Sequence, residues 1–439
     1  MTTKRWLILL ILCAAIAIGA AGTYRHIEKS RPTVISVAMF CDGIWGNVGA
    51  DNVAVMNSLV EKFQKSNSDI VVKTMVGLRE EYYTEWLSQK IINGETPDII
   101  TVLPGDFNTL SDIGVLKNLD AFIDTDESFD KTQIRTNVLE TGKYNGSFYA
   151  LPREVDTMFM FVNETLLSEE QIEIPENDWT WDDFERICRA VTKDTNGDGI
   201  INQFGTIDFT WQVAAATNGV TFFDEYGTMA YFDTPEMIET IDFIAKLNGL
   251  TRGAMPQEED FNDGRVAFKP FPYSWYQTFK ASAFRILKYN DFEWNCVKLP
   301  RGPSGKNAGV LNSHLVAIND NTRYPNECWE FLKFIVSDEE AQAEVWDKSE
   351  GIPAVSLSYL TSRQHITQTD DFVLFEPDVL DEVIRDSQLQ PRFLLYDDCM
   401  KYADRELYRI IHENRNVPSA LATLNSEIKD MLKERTFLG

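Results

Sequence analysis

An α/β fold in two large lobes is what this sequence predicts, from its length, its apolar content and its alternation of short β-like runs with amphipathic helices. At 439 residues the chain exceeds what one ordinary core organises, and 44% hydrophobic with 12% aromatic residues supplies material for two. That content excludes disorder for most of the chain. Val34–Phe40 reads as an apolar strand. Asp51 then caps a helix whose Val55, Met56, Leu59, Val60 and Phe63 share a face. Ile70–Val76 is β-like again, a helix through Tyr82, Tyr83, Trp86, Leu87 and Ile91 stops at Gly94, and Ile99–Leu103 is the third strand. This βαβαβ order predicts a doubly wound sheet with helices on both faces and ligands at the carboxyl ends of its strands.

The same mixture recurs downstream. Thr180-Trp181-Asp182-Asp183-Phe184 opens a helix with acidic residues in its first turn. Thr234 caps another that begins at Pro235 and turns Met237, Ile238, Ile241, Ile244 and Ala245 inward. Residues 396–413 and 418–434 read as helices. With no low-complexity linker between the halves, the lobes are expected to share several connecting segments.

The chain carries 41 Lys+Arg against 68 Asp+Glu. Such a surface repels phosphate backbones and anionic lipid, so nucleic acid is not an expected partner. Lys4 and Arg5 precede an apolar run from Trp6 to Gly22, the pattern of an export signal; the run is also about long enough to span a bilayer. Residues 1–22 are therefore expected to be a signal peptide or an N-terminal anchor. Cys41, Cys188, Cys296, Cys328 and Cys399 form no CxxC pair and read as buried free thiols. Scattered cysteines and four histidines offer no zinc spacing. Asp194, Asn196 and Asp198 have the opening spacing of a calcium loop, but Gly205 stands where the closing Glu would, and a structural turn is the preferred reading.

Eight segments in order resemble one family. Gly94-Glu95-Thr96-Pro97-Asp98-Ile99-Ile100 is similar to its strand entry, and Gly114-Val115-Leu116-Lys117-Asn118-Leu119-Asp120 to the segment that follows. Gly146-Ser147-Phe148-Tyr149-Ala150-Leu151-Pro152 resembles its crossing between lobes. Phe161-Val162-Asn163-Glu164, Trp179–Phe184, Phe261–Phe268, Trp329–Ile335 and Gly351-Ile352-Pro353 complete the series. The chain thus resembles the extracellular solute-binding proteins of ABC importers, in the branch that includes maltose-binding protein. The resemblance implies a two-lobed periplasmic-binding-protein fold of type II with a ligand cleft at the hinge. Lobe 1 is expected over 33–150 plus 301–355 and lobe 2 over 151–300 plus 356–439. It further implies a non-enzymatic, monomeric, extracytoplasmic protein without cofactor, delivering a carbohydrate to ABC permease subunits. An exported glycoside hydrolase and a membrane-tethered solute sensor stay open as alternatives.

A sugar offers flat C–H faces for aromatic rings and a rim of hydroxyls for charged partners. Trp45 follows the first strand and is expected to stack on the ligand; Tyr83 is expected to reach the cleft, whereas Trp86 reads as core. For Asp106 two readings stay open, a bond to sugar hydroxyls or a helix cap. Arg153 and Glu154, two charges beside the crossing, need partners and are assigned to the ligand. The resemblance adds Trp211, Trp275 and Tyr276 as stacking aromatics and Asn312 on the return crossing, while His314 reads as a satisfied structural histidine. Trp45→Ala is expected to weaken ligand binding strongly and leave folding intact; calorimetric titration with unchanged affinity would remove Trp45 from the site.

Overall fold

Along β1 (Thr33–Met39), Ile35, Val37 and Met39 point into one core and Ala38 into another, so both faces of its sheet must be covered. A computed structural model describes residues 32–42, 52–76, 78–275, 292–365, 377–413 and 415–436. The predicted cap Asp51 and residues 1–31 lie outside them. Helix α1 (Asn52–Ser66) buries Val55, Met56, Leu59, Val60 and Phe63 as the spacing requires, and β2 (Ile70–Val76) returns parallel to β1. Helix α2 (Glu80–Ile92) ends at Gly94, whose φ of 68° lets its own N–H reach the Ile91 carbonyl and that of Glu95 reach Lys90. Its buried residues are Tyr83 and Leu87; Trp86 is only half-buried, so the stripe runs one position away from the expected one. β3 (Ile99–Val102) and α3 (Pro104–Asp112) follow.

The chain then passes from one sheet to another. β4 (Leu151–Asp156) belongs to the first sheet, and β5 (Met158–Asn163) begins the second. The second sheet also takes β6 (Phe204–Thr206), β7 (Val266–Pro272) and β8 (Trp294–Val297). The chain returns through β9 (Asn312–Ile318) and finishes the first sheet with β10 (Ile352–Pro353). The orders are β10-β4-β9-β3-β1-β2 and β8-β5-β7-β6, with β1 parallel to β2 and β3, and β9 antiparallel to both β3 and β4. The first crossing therefore falls at Thr157 rather than at 151.

Between β5 and β7 stand α4 (Trp181–Val191), α5 (Trp211–Thr217) and α6 (Pro235–Leu250). α4 opens with Asp182 and Asp183 in its first turn and Thr234 caps α6, both as the sequence predicts, and Thr180 with Asp183 adds a complete capping box. α7 (Pro325–Ser337) and α8 (Glu339–Lys348) cover the first sheet beside α1. α9 (Pro377–Asp386) does not open the second lobe. Its Leu380, Val383 and Ile384 join the core of α1, α7 and α8, and its Asp381 pairs with Arg135. The third crossing thus follows Asp386, about a helix later than expected. α10 (Tyr396–His412) and α11 (Val417–Thr436) then fold back into the core of α4, α5 and α6 through Tyr396, Cys399, Leu407, Leu421, Leu424 and Ile428.

At the centre of that core, Trp181 stacks on Phe243 with centroids 4.1 Å apart and planes at 6°, and its Nε1 donates to Thr217 Oγ1 at 3.1 Å. Trp181→Ala is expected to lose about 3–5 kcal/mol through the cavity and the lost ring pair. Urea unfolding should show this as a lower midpoint at unchanged slope.

Candidate functional site

Within β4 the side chains of Glu154 and Asp156 follow each other with the period of two, and opposite them on β9 stand His314 and Asn312. This four-residue ladder lies where the first and second crossings run side by side. Asp156 is buried; its Oδ1 accepts from the backbone of Thr157 at 2.8 Å and of Ser274 at 3.2 Å, and its Oδ2 from the Ser274 hydroxyl at 2.6 Å. Thr157 Oγ1 and Ser387 Oγ lie 2.9 Å apart, which brings in the third crossing. Burial outweighs these bonds and, with the charge of Glu154, pushes the Asp156 carboxyl up to about 7. Asp156 and Ser274 were not among the predicted site residues. The period-two pairing of Glu154 with Asp156 was the signal for the first.

Arg153 and Glu154, both fully buried, form an ion pair at 3.0 Å. The Arg153 Nη2 also reaches Asn52 Oδ1 at 3.1 Å, and Ser349 donates to Glu154. The charges that the sequence reading assigns to a ligand therefore hold each other, although Arg153 Nε and Nη1 remain unpaired. His314 is buried with neither ring nitrogen hydrogen-bonded among the described residues, so it is not the satisfied histidine expected. Burial and the neighbouring Arg153 charge keep it neutral, well below the usual imidazole range. Tyr83 packs edge-on against Phe40 with centroids 5.5 Å apart, and its hydroxyl too lacks a partner.

Asp106 does not cap α3: Leu103 holds the cap position, and Asp106 Oδ2 instead accepts from Thr84 Oγ1 at 2.6 Å. Burial and the facing charge of Asp397, on α10, raise its carboxyl. Next to this meeting of the lobes, Asn108 donates to the Phe393 carbonyl at 3.1 Å and Arg392 lies 5.5 Å from the Phe107 ring.

The predicted aromatics part company. Trp275 is 37% exposed beside β7, with Lys269 Nζ 5.7 Å from its ring. Lys269 itself is buried, bonded to Glu258 at 2.6 Å and 3.5 Å from Asp208. Trp211, at 5% exposure, has no open face for stacking: it packs on Phe222, and its Nε1 donates to Asp404 at 2.9 Å. Asn312 is exposed at the start of β9. Trp45 and Tyr276 lie outside the described residues.

The Asp194 loop closes on itself. The Asp194 carboxylate accepts from the backbone of Asn196, Gly197 and Gly199, and these bonds lower its pKa, while Asn196 Nδ2 bonds Asp198. Among the described residues no three His, Cys, Asp or Glu are grouped to hold a metal ion. Of the described cysteines Cys41 is exposed and the other four are buried, all of them free. Open clefts of about 610, 790 and 280 Å³ run along the segment from Asp378 to Arg392.

Residues 58–370 of this two-sheet chain match the family model of the bacterial extracellular solute-binding proteins. The chain belongs to this family. Over 205 residues it is 26% identical to the maltotriose-binding protein of Pyrococcus abyssi, a match spanning 46% of this chain and only 41% of that relative. Its fold is similar to that of the cyclic alpha-maltosyl-1,6-maltose binding protein from Arthrobacter globiformis, with a TM-score of 0.75 at 18% identity over 92% of this chain and all of that one. It is also similar to an ABC substrate-binding protein from Listeria monocytogenes solved with cycloalternan, with a TM-score of 0.68 at 20% identity over 92% and 99% of the two chains. No helix among the described residues is long and apolar enough to cross a membrane.

The buried Asp156 carboxyl gives this solute-binding protein a pH signature. The folded chain holds that proton up to about pH 7, whereas the unfolded chain releases it near 3.9. The native state binds more protons in this window, so the contribution of Asp156 to stability falls as pH rises from 4 to 7. Thermal melting from pH 5 to 8 should show Asp156→Asn gaining on the wild type as pH rises; parallel profiles would contradict this ionisation.

Proposed function

We propose that this chain is the substrate-binding component of an ABC importer, taking an oligosaccharide between its lobes and presenting it to the permease subunits. The carrying observation is the junction itself: three crossings of the chain meet around Asp156, Thr157 and Ser387, with buried polar groups from both sheets beside them. Crossings bundled at one place leave the two sheets free to rotate as bodies, the hinge closure known in periplasmic binding proteins. An inter-lobe cleft is a favoured place for a small-molecule site. The relatives, binding proteins for maltotriose and cyclic maltosyl-maltose and one solved with cycloalternan, support a carbohydrate cargo.

On this reading Trp275 offers a sugar its exposed ring, with Asp208 and Lys269 within reach of the hydroxyl rim. Asp106 and Asp397 face each other across the lobes and supply acceptors. The protein acts outside the cytoplasm as a monomer, with residues 1–22 serving as its export signal or anchor, and it performs no chemistry on its cargo.

The test is a thermal-shift screen of the purified protein against maltotriose, mannotriose and cyclic glucans. A ligand that binds only the native state at a hundred times its Kd adds about 2.7 kcal/mol, a shift of several degrees. A shift with one sugar class and no hydrolysis of aryl glycosides is the expected result. Shifts with peptides or polyols alone would overturn the carbohydrate cargo, and turnover of an aryl glycoside would overturn the non-enzymatic reading.

A further inference from the structure

Strand β7 reads Val266-Ala267-Phe268-Lys269-Pro270-Phe271-Pro272, an apolar run with one charge in it, and it lies inside the second sheet between β5 and β6. Lys269 is only 4% exposed, where an aliphatic side chain would serve the core and an ammonium needs partners. Those partners stand at the surface. Both oxygens of Glu258, on the short helix Glu258–Asn262, accept from the Lys269 amine at 2.6 and 2.8 Å, and Asp208 Oδ2 stands 3.5 Å away. Both carboxylates are more than half exposed. The ammonium also lies 4.7 Å from the Phe261 ring and 5.7 Å from that of Trp275, within cation–π range. Asp208 follows β6 between buried Ile207 and Phe209, with a φ of 61° that few residues other than glycine adopt. This corner faces the first lobe. Tyr273, just past β7, lies nearly parallel to Trp346 of α8 with centroids 6.4 Å apart, and Ser274, next to Trp275, bonds Asp156 at the junction.

We infer that Lys269 is the positioning residue of the sugar platform: it holds the Trp275 ring and the Asp208 carboxylate at one place, so that a sugar stacks its C–H face on the ring while its hydroxyls donate to the carboxylate. The inference rests on the carbohydrate reading above and adds the residue on which the platform is built. A ring that is 37% exposed and a carboxylate on a turn would each lose side-chain freedom when a ligand binds. An ammonium between them restrains both beforehand, and its buried stem cannot swing out with them. Two carboxylates take up the amine, so Lys269 acts on a sugar through its neighbours. Asp208 turns one oxygen to Lys269 and keeps further acceptor sites for a ligand. With two carboxylates for one ammonium these side chains offer acceptors in excess, and a sugar's hydroxyls are the donors that match them.

The experiment is calorimetric titration of the whole chain with maltotriose, mannotriose and a cyclic glucan, repeated with the tightest of them on Lys269→Met, Lys269→Arg, Asp208→Asn and the Lys269→Met/Asp208→Asn double variant. Lys269→Met is expected to weaken binding by about tenfold. Its melting temperature is expected to stay level, because methionine fills a similar volume and the two exposed carboxylates it releases fall back on water. Lys269→Arg keeps a cation between the same partners and should recover most of the affinity. In the double variant the losses should fall short of additive, since Lys269 acts in part through Asp208. Full affinity in Lys269→Met, additive losses, an arginine variant as weak as the methionine one, or a melting temperature that falls along with affinity would each overturn the positioning role and leave the carbohydrate reading standing. No binding of any of the three probes to the wild type would overturn both.

Discussion

The structure depends on a single constraint: the chain passes twice between its two sheets and once more between the helices that cover them, and all three passages meet at one place. The first change is Asp156–Thr157, the second enters at Asn312, and the third follows Ser387. Backbone that crosses between cores cannot use the ladders of either sheet, so its polar groups need other partners. Asp156 supplies them, accepting from Thr157 and twice from Ser274, while Ser387 ties in the last crossing through Thr157. A buried carboxyl in such a place is costly, and its proton held up to about pH 7 is how that cost is relieved. Because the crossings are adjacent, few dihedrals need change for the lobes to rotate about them.

The packing around this junction is uneven in a way that suits such a rotation. Aromatic pairs pack closely on either side of it, Trp181 on Phe243 and Phe63 edge-on to Phe331. Open clefts run along the third crossing. A segment with few buried apolar contacts yields before a densely packed core does. At the third crossing the buried apolar residues thin out. α9 carries its last buried pair at Val383 and Ile384, and the next buried aromatic is Phe393 in the second core.

Most of the fold was legible in the sequence because local rules and tertiary packing agree. The spacing of Val55, Met56, Leu59, Val60 and Phe63, the acidic first turn at Asp182 and Asp183, the cap at Thr234 and the stop at Gly94 all give the element that forms. The lobe boundaries were less legible. Leu151–Asp156 and the apolar face of α9 fit either lobe by pattern, and only long-range contacts decide: β9 against β4, and Arg135 against Asp381. Individual site residues were hardest. Tyr83 and Trp86 lie on one helix three residues apart, and a rotation of part of a turn decides which is buried. Trp211 has the composition of a sugar platform, yet Phe222 and Asp404 claim its face and its N–H, and neither neighbour is close in sequence.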